Sequence, residues 1–216
     1  MPQVRFIYFD LGNVLLKFSV RRLLHQVAEL AEVPDADVKE AFFDDKKYMA
    51  YEMGQIDGSE YFAHICRQLG KTVPSEELLA AASDIFWVNE PILPLLRHLA
   101  GLLFPRGLLS NTGPHHWTYI QTAFPKILAL IPSHRIVSYA VHAMKPYPEI
   151  YKIALDEARR EIPDLSPEQV LLIDDLEENV KGAEEFGFQA VHYQDDASLE
   201  RELRARGVPL PEESAS

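Results

Sequence analysis

Phe6-Ile7-Tyr8-Phe9-Asp10 and Val170-Leu171-Leu172-Ile173-Asp174-Asp175 are two short apolar runs that end in carboxylates, each followed by a helical pattern. Runs of this length, rich in aromatic and β-branched residues, read as strands buried on both faces, and such strands belong to parallel sheets. A buried strand otherwise avoids acids, so acids at its last position point to chemistry. Two such ends suggest a divalent metal beside a carboxylate nucleophile.

Between these runs the pattern changes character. The turn-like Leu11-Gly12-Asn13-Val14 leads into residues 16–89, which read as entirely helical. Val20, Leu23, Leu24, Val27, Leu30 and Ala31 form one apolar face, and Asp35 precedes a second run with Val38, Ala41 and Phe42. Asp57-Gly58-Ser59 opens a third helix, and Pro74-Ser75-Glu76-Glu77 a fourth that is expected to run to Trp87. From Pro91 strands and helices alternate. Strands are expected at Gly107–Asn111, Arg135–Tyr139, Val170–Asp175 and Phe188–Tyr193, with helices between them, a C-capping Gly187 and a charged helix from Ser198. Five parallel strands covered by helices on both faces are the simplest closure. The fold class is therefore α/β, with a core of residues 1–15 and 90–216 and an all-α insertion over 16–89; the polar, proline-marked tail 209–216 is expected to be mobile.

The 216 residues suit one core with a sizeable insertion, and 47% apolar residues are ample for its interior. A net charge of -12, without a basic run to offset it, argues against nucleic acid and anionic membrane as partners. A small anionic ligand would need a local positive site. Cys66 is the lone cysteine and follows helical apolar spacing, so it reads as a buried structural thiol. The start Met1-Pro2-Gln3 lacks a leader pattern and no run is long enough for a bilayer, which makes the cytoplasm the expected compartment. No residue pattern sets an oligomeric state.

Open α/β sheets bind ligands beyond the carboxyl ends of their strands. The polar residues there are Asp10, Ser110 with Asn111, Lys145, and Asp174 with Asp175. If these ends meet, Asp10, Asp174 and Asp175 can share Mg²⁺, an ion that suits oxygen ligands and leaves room for water and a phosphate. Lys145 would neutralise a phosphate oxygen, Ser110 and the N–H groups after Asp10 would donate to others, and Asp10 could attack phosphorus to give an aspartyl-phosphate. Taken singly, Asp174-Asp175 and Ser110-Asn111 also read as helix caps, and Lys145 as a surface lysine stiffened by Pro146 and Pro148.

These segments, in this order, are also the four motifs of the haloacid dehalogenase superfamily, which the chain resembles over its whole length. Asp10 matches the nucleophile, Ser110 in Leu108-Leu109-Ser110-Asn111-Thr112 the second motif, Lys145 in Met144-Lys145-Pro146-Tyr147-Pro148 the third, and Asp174-Asp175 the fourth. The resemblance implies a Rossmann-like core with a helical cap, and Mg²⁺-dependent hydrolysis of a small phosphorylated metabolite. It also implies substrate-binding roles for Leu11, Gly12, Ser110, Asn111 and Lys145, and metal ligation by Asp10, Asp174, Asp175 and the carbonyl of Gly12.

Gly12 departs from the pattern, because the superfamily usually has there a second aspartate that acts as general acid and base. Losing such a group costs ~10²–10⁴ in rate unless another replaces it. Phe9-Asp10-Leu11-Gly12-Asn13-Val14 is similar to a bacterial branch that includes an α-glucose-1-phosphate phosphatase, and a sugar 1-phosphate leaves as a relatively acidic hemiacetal oxygen. Gly12 and Asn13 also suit a turn that needs positive φ. His115 and His116, beside Trp117, read as exposed loop histidines, with His115 as the missing acid the lesser alternative. Tyr48, Tyr51, Glu52, Trp87 and Asn89 are candidates to line a pocket, although aromatic residues at such spacing are more often core. Two other functions compete: a metal-independent 2-haloacid dehalogenase, and a phosphate-binding regulatory protein with little turnover.

Overall fold

The computed structural model describes residues 2–43 and 45–211. Strand β1 (Phe6–Phe9) is wholly buried and sits at the centre of a five-stranded parallel sheet. Its neighbours are β4 (Arg106–Ser110) and β6 (Val170–Asp174), flanked by β5 (Arg135–Val137) and β7 (Gln189–His192), in the order β5-β4-β1-β6-β7. Side chains alternate across the pleat. Ile7 and Phe9 face one core layer with Leu108, Leu171 and Ile173, whereas Phe6 and Tyr8 face the other with Leu109 and Leu172. Each such side chain contributes about 1.5–3 kcal/mol by leaving water. The phenol of Tyr8, taken into this apolar layer, donates to the Ala154 carbonyl at 2.8 Å.

Between β1 and β4 the chain runs through β2 (Leu16–Phe18), α1 (Val20–Ala31), α2 (Asp35–Phe42), α3 (Asp45–Glu52), α4 (Gly58–Leu69), α5 (Ser75–Ser83), β3 (Phe86–Val88) and α6 (Leu93–Gly101). Helices α1 to α5 form a cap with its own apolar cluster, centred on Val27, Val38, Ile65, Leu78 and Ala82. The N-caps of α1 and α4 are the side chains of Ser19 and Asp57, which accept from Arg22 N and Glu60 N. Beyond β4 come α7 (Pro114–Ala123), α8 (Pro125–Leu128), a single turn α9 (Ser138–Val141) after β5, α10 (Pro148–Ala158), α11 (Glu177–Phe186) and α12 (Asp196–Ala205). Gly187 ends α11 at φ 107°, as its position past the last apolar residue suggests.

The segment expected to be entirely helical is not. Its fourth helix stops at Ser83, and Phe86-Trp87-Val88 pairs antiparallel with Leu16-Lys17-Phe18, with Trp87 opposite Lys17. Aromatic and β-branched side chains favour this pleated pairing once a partner strand is present. The cap therefore joins the core through a two-stranded ribbon. The sequence does not predict helix α3 (Asp45–Glu52), because that stretch shows no strong apolar stripe. The strand expected to reach Tyr139 ends at Val137, where the Ser138 hydroxyl accepts from Thr112 N at 3.0 Å and the chain turns helical. Cys66 is a free thiol only partly buried at the edge of the cap cluster, not fully enclosed. In the proline-marked tail, carbonyls of Pro209 and Pro211 accept from His98 and Arg204, and residues 212–216 lie outside the described part. No helix among the described residues is long and apolar enough to cross a membrane.

Asn89, fully inside the protein, holds the loop after β1 in place. Its amide donates to the Val14 carbonyl at 2.7 Å and to the Tyr193 hydroxyl at 2.9 Å. Asn89→Ala leaves that buried carbonyl unpaired and is expected to lower stability by about 1–3 kcal/mol, whereas Tyr193→Phe costs about 1 kcal/mol or less. Urea unfolding midpoints of both variants and their double variant measure the two effects and their coupling.

Candidate active site

The parallel register places the acids together. Phe9 is paired with Leu108 on one side and Ile173 on the other, so Asp10 emerges level with Asp174 and with Leu109, the residue before Ser110. Asp10 N donates to the Ile173 carbonyl at 2.9 Å, which fixes the first residue beyond the strand. Lys145 reaches the same point from the loop before α10. Its ammonium is 2.9 Å from Asp10 Oδ1 and 2.5 Å from Asp174 Oδ2, and it donates to the Leu109 carbonyl at 2.8 Å. All three side chains are withdrawn from water: Lys145 is 1% exposed, Asp174 0% and Asp10 7%.

Neighbouring amides set these groups in place. Asn111 exchanges two hydrogen bonds with the Lys145 main chain, at 2.8 and 2.9 Å, and so ties the end of β4 to the lysine loop. Asp174 Oδ1 accepts from Leu176 N at 3.0 Å and from the Asn179 amide at 2.9 Å, on the first turn of α11. Asp175 Oδ2 accepts from the Asn13 amide at 2.8 Å. Asn13 has φ 54°, a left-handed conformation that asparagine tolerates well. The Ser110 hydroxyl makes only a long contact, 3.4 Å, to the Asn111 carbonyl.

Gly12 does not share the left-handed backbone of Asn13, so a positive φ is not its reason. Space is. A Cβ at position 12 would lie 3.0 Å from Phe18 Cε1 and 4.0 Å from Asp10 Oδ2. The Phe18 ring therefore crowds a side chain here and would have to give way by a few tenths of an ångström. Turn hydrogen bonds run from Leu15 N and Leu16 N to the Leu11 carbonyl and from Asn13 N to the Leu16 carbonyl, and none uses the carbonyl of Gly12.

Oxygens of Asp10, Asp174 and Asp175 lie within 4.8 Å of one another, close enough for one cation. An all-oxygen set of three carboxylates matches a hard divalent ion such as Mg²⁺. Electrostatics agree with a site that wants a cation. Burial pushes the Asp10 carboxyl up to about 7 and Asp174 adds to the rise, while the Lys145 ammonium opposes it. Burial also works against the ammonium, but the two carboxylates outweigh it and hold the Lys145 pKa above its usual value.

A cavity of about 110 Å³ opens beside these groups. The Leu11-Gly12 turn and Ser110-Asn111-Thr112 form its core wall, and the cap contributes Phe42, Tyr48, Glu52 and Tyr61. Tyr48 and Glu52 thus line a pocket, but Trp87 does not: its ring is 48% exposed on the ribbon. Asn89 serves the loop described above, and Tyr51 stacks on Tyr61 at 4.3 Å. His115 and His116 also line the cavity. They sit in the first turn of α7, packed against Phe62 and Phe86, and are not exposed loop residues. Burial and mutual repulsion hold the His115 imidazole far below its usual pKa, and burial pushes His116 down to about 4. The sequence does not single out Asn13, Asn179 and Phe18 as partners of the site; the signal for Asn179 is its position in the first helical turn after Asp174-Asp175.

A family model described as haloacid dehalogenase-like hydrolase matches residues 4–187. A HAD family enzyme from Bacteroides thetaiotaomicron, solved with magnesium and inorganic phosphate, is 27% identical with a TM-score of 0.75, over 91% of this chain and 98% of that one. The L-2-haloacid dehalogenase of Xanthobacter autotrophicus shares the fold, with a TM-score of 0.62 at 19% identity over 96% of this chain and 85% of that one. The bifunctional epoxide hydrolase 2 of Rattus norvegicus is 25% identical over 97% of this chain, which spans 40% of that protein's length.

Burial raises the Asp10 carboxyl to about 7 in the folded protein, whereas the unfolded chain has the ordinary value of 3.8. Its contribution to stability is thus complete below about pH 4 and is lost as the pH rises through about 7. Chemical unfolding in chelator from pH 4 to 8 is expected to show this decline, and Asp10→Asn to flatten it. A wild-type slope equal to that of the variant would contradict the raised pKa.

Proposed function

The chain belongs to the haloacid dehalogenase-like hydrolases, and from that membership we propose that it is a Mg²⁺-dependent phosphomonoesterase acting on a small phosphorylated metabolite. The observation that carries this reading is the meeting of Asp10, Lys145 and the Asp174-Asp175 pair at the carboxyl edge of the sheet. The similar Bacteroides enzyme holds magnesium and inorganic phosphate, the two ligands this constellation suits.

In this reading one carboxylate oxygen of Asp10 attacks phosphorus in line with the departing oxygen, giving an aspartyl-phosphate that water then hydrolyses. Lys145, already a pinned cation, balances the charge of a phosphate oxygen. Ser110 Oγ, weakly engaged in the resting protein, is available to donate to another. Backbone N–H groups of the Leu11-Gly12 turn supply further hydrogen bonds, and Asn111 keeps Lys145 at the right height. Asp10, Asp174, Asp175 and the Gly12 carbonyl are the groups that would hold Mg²⁺, whose charge, when bound, offsets that of the phosphoryl oxygens.

Helices α1 to α5 close the other side, so the leaving group is enclosed by Phe42, Tyr48 and Glu52. The small volume of the cavity, about 110 Å³, fits a small leaving group better than a long polymer. Sugar 1-phosphates lead the candidates, because their more acidic hemiacetal oxygen partly relieves the need for an acid at position 12.

Hydrolysis of p-nitrophenyl phosphate with Mg²⁺, with chelator and with Asp10→Asn tests the proposal. Turnover is expected with Mg²⁺ alone, falling at least about 1,000-fold in the variant. Rates in all three that match the blank, with phosphate still bound, would leave a binding protein; halide release from 2-chloropropionate without added metal would favour dehalogenation. A panel of sugar, nucleotide and acyl phosphates then ranks substrates, with anomeric phosphates expected first.

A further inference from the structure

We propose that Glu52, carried into the cavity by cap helix α3, is the general acid and then the general base of the reaction, in place of the side chain that position 12 lacks. The inference rests on the phosphomonoesterase reading.

Glu52 is 8% exposed, yet it lines the same cavity as Gly12, Ser110 and Asn111. A carboxylate does not enter such a place without partners or purpose. Tyr48 OH donates to Oε1 at 2.8 Å, which leaves Oε2 to carry a proton. Burial pushes the carboxyl up to about 7, while the Tyr48 hydrogen bond and the Lys145 charge hold it from rising further. Both protonation states are thus accessible near neutral pH, as an acid that must later act as a base requires.

Its position is fixed from the core side. The Glu52 carbonyl accepts from Ser138 Oγ at 2.7 Å, at the end of β5. Tyr51, one residue earlier, lies with its hydroxyl 2.7 Å from His115 Nδ1 and accepts from His115 N at 3.3 Å. Gly113 permits this approach, since a Cβ there would stand 2.6 Å from the Tyr51 ring. The last turn of α3 is therefore clasped against Ser138 at the end of β5 and against Gly113 and His115 at the start of α7.

The other titratable groups facing the cavity are less suited. Tyr48 is committed to Glu52, and Tyr61 OH donates to the Phe42 carbonyl at 2.6 Å. His115 is neutral and engaged with Tyr51, and His116, also neutral, bonds the Ala82 carbonyl at 3.1 Å. In the first step the Asp10 oxygen–phosphorus bond forms as the ester oxygen–phosphorus bond breaks, and the Glu52 proton goes to the leaving oxygen. In the second, Glu52 takes a proton from water as its oxygen binds phosphorus, the bond to Asp10 breaks, and inorganic phosphate departs. Alkoxides poorer than a hemiacetal can then leave as well.

The test compares wild type and Glu52→Gln with p-nitrophenyl phosphate and with propyl phosphate, both with Mg²⁺. The variant is expected to lose about 100-fold or more in kcat/KM on propyl phosphate but only about tenfold in the phosphorylation step with p-nitrophenyl phosphate. It should also accumulate enzyme heavier by one phosphoryl group, seen by mass spectrometry, because water is activated less well. Equal losses on both substrates, or a raised KM with kcat unchanged, would make Glu52 a binding or packing residue and overturn the proposal. If Glu52→Gln does not fold, Tyr48→Phe frees Oε1 instead and is expected to show the same leaving-group dependence at smaller amplitude; its absence overturns the proposal. If wild type hydrolyses neither ester, the phosphomonoesterase reading falls and this inference with it; if wild type cleaves both, only the role of Glu52 is at stake.

Discussion

One lysine ammonium sealed between two carboxylates governs the architecture of this protein. Taking Lys145, Asp10 and Asp174 out of water costs several kcal/mol per ion, and only close, well-directed contacts offset it. Those contacts exist because three strands end at the same level and because Leu109 and Asn111 hold the lysine from the β4 side. A slip of one residue in β1 or β6 would turn an acid toward the wrong face and leave the ammonium unmatched. The buried charges and the sheet register thus specify one another. Three acids against one base also leave the cluster short of positive charge, which suits a site made to receive a cation.

Much of this was legible in the sequence because it broke a rule. Buried runs that end in Asp10 and Asp174-Asp175 contradict ordinary strand composition, and that contradiction marks the sheet edge. The central strands were equally clear, since an unbroken apolar run has few other places to go. What stayed hidden depended on pairing at a distance. Phe86-Trp87-Val88 reads as the end of a helix until Leu16-Lys17-Phe18 is brought alongside it. Helix α3 lacks an apolar stripe because its Tyr48, Tyr51 and Glu52 are shared between cap core, cavity and α7. His115 and His116 look like loop residues in one dimension, and only packing against Phe62 and Phe86 encloses them.

Gly12 illustrates the same limit at a single position. By sequence it is a missing functional group or a turn former. In three dimensions it is the counterpart of Phe18, whose ring edge would stand 3.0 Å from a Cβ placed there. The two residues are six apart in the chain, and each explains the other. The ring also lines the cavity, so the exchange trades a polar group near Asp10 for an apolar surface facing the cavity. The burden of moving protons then passes to whatever the opposite wall can offer.

The antiparallel pairing of Leu16–Phe18 with Phe86–Val88 has a consequence for how such a molecule can change over time. The whole helical segment enters and leaves the sheet scaffold as a plug on two adjacent prongs, only one ladder wide. Drift, duplication or replacement inside the plug can remodel recognition without disturbing the strand edge. The reverse is not symmetrical, for a lineage that loses the prongs leaves only side contacts such as Glu52 with Ser138 and Tyr51 with His115 to align the two halves. Diversity should therefore collect between the prongs, and constancy at and below them.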